Sequence, residues 1–445
     1  MKKVITYGTF DMLHKGHINL LRRAKEMGDY LIVGVTSENY DRERGKLNVH
    51  DPLLKRVEAV RNTGFVDEII IEEYVGQKID DIQKYDIDIF AIGSDWTGKF
   101  DYLKEFCDVV YLPRTKGISS TQLRNEIQNI RNVGIVGCGR IANRFIPESK
   151  FVSGVNVSGV FNPHLSSAKA FAAKHSLQFS TDNYEKFLSR IDAVYIASPH
   201  LTHYEYAKTA INNGKHVLCE KPITLDPKLT AELYDAASRN NVVLLEAIKT
   251  AYCPGFTHLI SLVKSGAIGT VKDVDATFTK LVCGDVRELS AETGGGSMTE
   301  LSSYVLLPII KIMGTDYADV TFHPICNNGV DIFTRGLLNY PQGTASFKVG
   351  LGVKSEGELI ISGTKGYAYV PAPWWKTDYF ELRFENLSDT RKYYYRFDGD
   401  GLRYELEHFV SMIDNRQLES YMLNRKESMA ISTIIDSFRK QVNAI

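Results

Sequence analysis

A strand that runs into a glycine turn and then a helix is a form in which a polypeptide grips a phosphate, and this chain carries it twice. The first instance is the apolar run at residues 3–7 followed by Gly8-Thr9, with helical periodicity resuming at Leu20, Leu21, Ala24 and Met27. The second is Val133-Gly134-Ile135-Val136 followed by Gly137-Cys138-Gly139. In each, glycine lets the backbone come close to an anion while the next helix aims its N-terminal N–H groups at it. Two such turns in 445 residues imply two separate nucleotide-binding units.

Around the first turn, apolar strand patterns at 3–7, 30–35, 68–71, 87–92 and 109–112 alternate with helix-like segments, and 119–129 reads as a closing helix. Such alternation predicts a parallel sheet covered on both faces. A fresh strand begins at once at 132–137, with no Gly/Ser- or Pro-rich linker before it. The pattern then repeats: strands at 155–161, 192–197, 215–219 and 242–246, helices at 141–150, 166–175, 203–213 and 226–239. Beyond about residue 249 the character changes. Segments 271–282, 318–326, 330–340, 343–350, 356–361 and 366–370 predict a mostly antiparallel sheet, closed by helices at 404–414 and 426–441. The expected fold is α/β: two doubly wound, Rossmann-like units, residues 1–130 and 131–249, then an α+β domain over 250–445.

A formal net charge of -1 provides no basic field to recruit nucleic acid or anionic lipid. The six cysteines are scattered, with no C-x-x-C pair, which argues against a disulfide framework or structural zinc and fits a reducing compartment. Asp11 interrupts the N-terminus too early for a signal-peptide core, and the longest apolar run, 301–313, contains Lys311. A cytoplasmic protein without membrane partners is expected.

His14 and His17 stand three apart near a helix start and share one face. Two imidazoles there can donate to an α-phosphoryl group as charge builds on its oxygens during in-line displacement. A bare H-x-x-H is equally a capping or surface pair, and no further Cys or His accompanies it for a metal site. The full string Gly8-Thr9-Phe10-Asp11 followed by His14-Lys15-Gly16-His17 favours the chemical reading. With Gly93-Ser94-Asp95-Trp96 and Arg114-Thr115-Lys116-Gly117-Ile118-Ser119-Ser120-Thr121, residues 1–130 resemble the HxGH nucleotidyltransferase superfamily, in its glycerol-3-phosphate cytidylyltransferase branch. The resemblance implies CTP, with Mg2+, as substrate. It places Gly8, Thr9, Phe10, Asp95, Arg114, Ser119, Ser120 and Thr121 on the nucleotide, and Arg44 and Lys46 in a basic lid over the triphosphate. One departure stands out: Gly64 occupies a position before Val66-Asp67-Glu68 where the branch leads one to expect arginine, so the acceptor pocket is open to question.

Gly137-x-Gly139-x-x-Ala142, between an apolar strand and a helix, has the context a dinucleotide fingerprint requires. The next strand ends Phe161-Asn162-Pro163-His164, with neither a carboxylate for a ribose 2′-hydroxyl nor an arginine for a 2′-phosphate, so NAD and NADP are both open. Glu220-Lys221-Pro222 follows another strand at the carboxyl edge of the sheet. Farther on, Gly294-Gly295-Gly296 leads to Glu300 and Tyr304, four apart on one helix face. Together with Ala197-Ser198-Pro199-His200-x-x-His203 and Glu246-Ala247, these strings make residues 131–445 resemble the Gfo/Idh/MocA oxidoreductase family. The resemblance implies Lys221 on the reacting oxygen and Tyr304 as proton exchanger. It also puts Gly137, Gly139, Arg140, Ile141, Asn162, Ser198, Pro199, His200, His203 and Glu220 around NAD or NADP. The ammonium of Lys221 is expected to lower the phenol pKa of Tyr304 toward neutrality. Pro371-Ala372-Pro373-Trp374-Trp375 reads either as a cavity wall, as a dimer contact or as core.

The combined expectation is a bifunctional enzyme. One half transfers cytidylyl from CTP to a small polyol phosphate; the other reduces a carbonyl with a nicotinamide cofactor to supply the alcohol. Alternatives are an oxidoreductase acting on the CDP-linked product, a non-catalytic dinucleotide module, or ATP in place of CTP. Small-molecule substrates and a homo-oligomer, a dimer or larger, are what the two resemblances imply.

Overall fold

A computed structural model describes residues 1–43, 49, 51–113, 130–284, 286–397 and 399–442. The chain divides into two compact units, Met1–Ile130 with Phe151–Asn156, and Arg131–Lys150 with Val157–Ile445.

In the first unit, β1 (Lys3–Gly8), β2 (Tyr30–Thr36), β3 (Glu68–Glu72), β4 (Ile89–Gly93) and β5 (Asp108–Leu112) form a parallel sheet in the order β3-β2-β1-β4-β5. Successive side chains along a strand face opposite ways, so β1 feeds two cores. Val4 packs with Leu21, Val33 and Val60 on one face, and Ile5 with Ile32, Ile82 and Phe90 on the other. Helices Lys15–Lys25 and Leu53–Arg61 serve the first core and Gln77–Tyr85 the second. Strand order reverses direction between β1 and β4, which fixes the crevice outside their carboxyl ends as the ligand position of such a sheet. The expected helix at 119–129 lies outside the described residues.

The second unit opens with another parallel sheet, β6 (Arg131–Val136), β7 (Val155–Phe161), β8 (Phe179–Thr181), β9 (Ala193–Ile196), β10 (His216–Glu220) and β11 (Leu244–Ala247), ordered β11-β10-β9-β6-β7-β8. β8 and the short helix Tyr184–Leu188 escaped the sequence reading because each is too brief to show a period.

A larger sheet follows: β12 (Val271–Thr279), β13 (Asp319–Asn327), β14 (Val330–Tyr340), β15 (Gly343–Gly350), β16 (Leu359–Gly363), β17 (Gly366–Val370), β18 (Tyr379–Phe384) and β19 (Arg391–Tyr394). Its order is β13-β14-β15-β12-β16-β17-β18-β19. All pairs are antiparallel except β12 with β15. The edge strand β19, Arg-Lys-Tyr-Tyr, has no apolar alternation to announce it. The apolar run at 301–313 belongs to the helix Ser297–Met313, which is buried between this sheet and the last helix, Arg425–Val442. Among the described residues no helix is long and apolar enough to cross a membrane.

Candidate functional sites

At the carboxyl end of β1 the chain turns through Phe10 and Met12, both with positive φ (51° and 47°), before His14 caps the helix Lys15–Lys25. His14 Nδ1 accepts from the Gly16 and His17 amides at 3.1 and 3.4 Å, which puts its ring proton on Nε2. The two imidazoles stack, centroids 3.8 Å apart. Glycine at 16 is what permits this: a Cβ there would stand 2.9 Å from His14 Cε1. Capping and chemical readings of His14 are therefore compatible, since one nitrogen is used by the helix and the other is a donor.

The structure corrects the expectation for Phe10. Its side chain is a core residue, 2 % exposed, and meets the His17 ring edge-on at 5.4 Å; it buttresses a histidine rather than lying on a nucleotide. Thr9 is also buried, its hydroxyl donating to Asp41 at 3.1 Å. Gly8 ends β1, and Gly93 with exposed Asp95 follows at the end of adjacent β4, so these strings do reach one crevice. Arg44, Lys46, Arg114, Ser119, Ser120 and Thr121 lie outside the described residues. Gly64 adopts φ +74° in the turn after Leu53–Arg61, a conformation that a side-chain-bearing residue takes only with strain.

Arg56 went unnoticed in the sequence. It is fully buried, its Nη1 donating to the Thr9 and Thr36 carbonyls at 2.9 Å each and its Nε to the Asp51 carbonyl at 2.9 Å. Asp51 in turn donates its amide to Asp11 at 2.8 Å. This guanidinium pins the loop after β1 from inside. An arginine in an amphipathic helix carries no sequence mark of burial, so only its helix's neighbours reveal it.

In the second unit, Gly137 has φ +99°, and a Cβ would fall 2.6 Å from the Ala197 carbonyl; the fingerprint loop lies directly on the end of β9. Gly139 caps the helix Arg140–Ser149 with open space at its Cβ position, so the helix N-terminus is left uncovered there. Asn143, another residue missed by the sequence reading, donates to the Gly139 and Cys138 carbonyls at 2.9 and 3.3 Å and holds the loop. Ile141 lies in the first turn of that helix, half-buried. Arg140 points its guanidinium to Glu288, 2.7 Å away. Asn162 accepts from the His164 amide at 2.9 Å, shaping the turn after β7.

His203 departs from its expected place against the cofactor. It is wholly enclosed, with Nδ1 2.9 Å from the Pro222 carbonyl and Nε2 2.9 Å from the Ser198 carbonyl. It sits between the loops after β9 and β10, and burial pushes its pKa down to about 4, so as a neutral ring it donates to one of the two carbonyls. Ser198 accepts from the Thr202 hydroxyl at 2.8 Å, and exposed Pro199 starts a short 3-10 turn. His200 is buried near Glu300, which pairs with Arg287 at 2.9 Å. Glu220 is turned into the interior, accepting from the Tyr195 hydroxyl at 2.6 Å.

Lys221 and Tyr304 do meet. Lys221 Nζ donates to the Glu300 carbonyl at 2.9 Å and lies 5.7 Å from the centre of the Tyr304 ring. The expected lowering of the phenol pKa is overturned: burial, then the charges of Glu220 and Glu405, push it well up. Tyr304 is held as a neutral phenol, the form that gives a proton. Its ring meets Phe278 edge-on at 5.3 Å, and Phe278 stacks on Trp375 at 3.7 Å. Trp374 is pure core, its indole N–H donating to the Thr277 carbonyl at 2.8 Å.

Each unit is thus an α/β protein of the kind that binds nucleotides at the carboxyl ends of a parallel sheet. Residues 5–126 match the cytidylyltransferase-like family and residues 131–247 the Gfo/Idh/MocA oxidoreductase family with its NAD-binding Rossmann fold. The glycerol-3-phosphate cytidylyltransferase of Bacillus spizizenii is 52% identical over 130 residues, 29% of this chain and the whole of that protein. The scyllo-inositol 2-dehydrogenase (NADP(+)) of Bacillus subtilis is 28% identical over 328 residues, 70% of this chain and 97% of its own length. A 3-ketoreductase from Actinomadura kijaniata, solved with NADP and TDP-benzene, shares the fold with a TM-score of 0.62 at 20% identity, over 70% of this chain and 98% of that one. The chain belongs to the cytidylyltransferase-like family through its first unit and joins to it an NAD(P)-dependent oxidoreductase domain of the Gfo/Idh/MocA family.

Proposed function

We propose that the first unit transfers cytidylyl from CTP to a small polyol phosphate, releasing pyrophosphate, and that the second reduces a carbonyl to supply that alcohol. The observation carrying this is the occurrence, in one chain, of the stacked His14–His17 pair and the Lys221–Tyr304 pair, each at the mouth of its own sheet. His14 Nε2–H and His17 would donate to the phosphoryl oxygens as charge accumulates.

In the second unit the reduced nicotinamide, when bound, supplies hydride. Lys221 orients and polarises the carbonyl oxygen and Tyr304 gives it a proton. No carboxylate stands at Asn162-Pro163-His164, and the inositol dehydrogenase relative uses NADP(+), which together favour NADP. The resulting CDP-alcohol would feed a teichoic-acid-like or capsular polymer, in the cytoplasm, from a homo-oligomeric enzyme. The test supplies CTP, NADPH and a panel of keto phosphates from triose to pentose, reading pyrophosphate and any CDP-linked alcohol. Absence of product from every one sinks the coupling.

A second reading is that reduction follows cytidylylation. It is favoured by the ketoreductase of this fold that was solved with a nucleoside-diphosphate-linked ring. Incubating CDP-sugars with NADP and watching for its reduction separates the two orders.

A further inference from the structure

Resting on the oxidoreductase reading above, we propose that Arg287 recognises a phosphoryl group on the carbonyl substrate and so sets which carbonyls this unit reduces. Its placement begins with glycine. A Cβ at Gly295 would stand 2.8 Å from the Arg287 carbonyl and 2.7 Å from that of Glu288, and the Gly296 amide donates to the Glu288 carbonyl at 2.9 Å. The turn Arg287–Leu289 therefore lies directly on the start of the helix that carries Tyr304. From this turn two side chains reach different partners. Glu288 pairs with Arg140 at 2.7 Å, and Arg287 Nη2 stands 2.9 Å from Glu300 Oε1. The carbonyl of the same Glu300 holds Lys221 Nζ at 2.9 Å. One residue thus joins Arg287 to the lysine of the Lys221–Tyr304 pair.

The pairing with Glu300 is incomplete. Glu300 Oε1, Arg287 Nη1 and His200 Nδ1 are all enclosed, and none has a hydrogen-bond partner among the described residues. His200 Nδ1 is 3.8 Å from Glu300 Oε1, too far to bond. Enclosed polar atoms left unbonded cost free energy that a ligand's oxygens would recover. A guanidinium whose carboxylate partner is poorly aligned is open to a better one, and its fork of N–H groups matches a phosphoryl group. The Arg287 side chain is 33% exposed, so an anion entering from solvent reaches it.

Charge favours the same ligand. Phe278, edge-on to Tyr304, lies on β12, and the ladder runs on through Lys280, whose amide donates to the Gly350 carbonyl at 2.8 Å. Two apart on extended backbone, Phe278 and exposed Lys280 leave the strand on one face. Glu288 is taken by Arg140, and Glu220 is turned into the interior against Tyr195. Lys221, Lys280 and Arg287 are left on this side with the carboxylate of Glu300. A phosphate ester, with about -1.5 to -2 charges at neutral pH, balances that excess. The diphosphate of a nucleotide-linked sugar offers the same oxygens.

The experiment runs the full-length protein with NADPH on a triulose, a tetrulose and a pentulose, each with and without its phosphate, and on a ketohexose with and without a CDP group. The parent should favour the phosphorylated member of a pair. In Arg287→Met that preference, as a ratio of kcat/KM values, should fall about ten- to a hundredfold. Arg287→Lys should recover part of it, and added salt should raise KM for the phosphorylated members alone. A preference among the monophosphates identifies a phosphate ester as the ligand, and one for the CDP-linked ketohexose identifies a diphosphate; either supports the proposal. Variants that lower kcat/KM equally for charged and uncharged ketones assign Arg287 to support of the helix and overturn it. If the parent reduces no carbonyl, the functional reading falls and this proposal with it. If it reduces uncharged ketones as readily as charged ones, only the proposal falls.

Discussion

His14 spends Nδ1 on the amides of Gly16 and His17 and so presents Nε2–H, and the absent Cβ at Gly16 lets the ring fold back. Gly16→Ala is accordingly expected to displace the His14 ring while leaving stability near the parental value, since the helix gain of about 1 kcal/mol from alanine offsets a lost cap of similar size. Pyrophosphate release should drop by about one to two orders of magnitude with no loss of melting temperature. A variant that kept full transfer would remove the geometric reason for glycine in that motif. For Tyr304, burial and two nearby carboxylates hold the phenol neutral well beyond its ordinary range. Because the protonated form is the donor, carbonyl reduction should show no alkaline limb from this group below about pH 10, and Tyr304→Phe should lower kcat by about a hundredfold or more. A pH profile of kcat/KM that declined with a single pKa near 8 and flattened in the phenylalanine variant would refute the assignment.

At the scale of elements, helix ends carry the sites and remote residues hold those ends. The helix Ser297–Met313, which carries Tyr304, starts at Gly296, whose backbone has φ +116°, and its Met298 amide is capped by Asp331 Oδ2 at 2.9 Å. Asp331→Ala should therefore cost about 1–2 kcal/mol and lower NADPH oxidation together with melting temperature, leaving cytidylyl transfer intact. His203 fills the space between the loops after β9 and β10 and donates to one of their carbonyls. Its pKa is about 4 in the folded chain against an ordinary 6.5, and burial sends His216 and His408 to about 4 as well. The unfolded chain takes up these protons first, so the stability they confer is whole above about pH 6.5 and lost as pH falls toward 4. Buried Glu246 and Asp331, raised to about 7 and 6, act in the opposite direction over part of that window. His203→Gln isolates one contribution. It should melt earlier than the parent at neutral pH and lose less between pH 6.5 and 4; equal acid slopes would contradict the linkage.

For the whole molecule, each unit has its own parallel sheet and its own candidate pair, so the two proposed activities should be separable by single substitutions. His17→Ala is expected to abolish pyrophosphate release and leave NADPH oxidation at the parental rate; Lys221→Ala should do the reverse. Loss of both activities from either change would mean one shared centre. The two glycine turns, the alternation of strands and helices around them, and the Gly-rich and His- or Lys-bearing strings were legible because period, glycine and spacing are local properties of a chain. So was the larger antiparallel sheet, apart from β18 and its tyrosine-rich edge strand β19. Locality also set the limit. A sequence places His203 three residues from His200 but does not show that both its nitrogens end on backbone carbonyls, or that Phe10 is enclosed behind His17. Arg56, Asn143 and Asp331 act on loops distant in sequence or through atoms that carry no motif. The acidity of Tyr304 was misread for the same reason. The neighbouring ammonium is visible in the motifs, whereas the desolvation and the charges of Glu220 and Glu405 that outweigh it come from packing strands and helices far apart in the chain. The sequence by itself determined the two glycine turns and the spacings His14–His17 and Glu300–Tyr304, which are local; the tertiary structure alone decided which side chains are enclosed, which of them touch and which way their acidity shifts, because all three depend on burial.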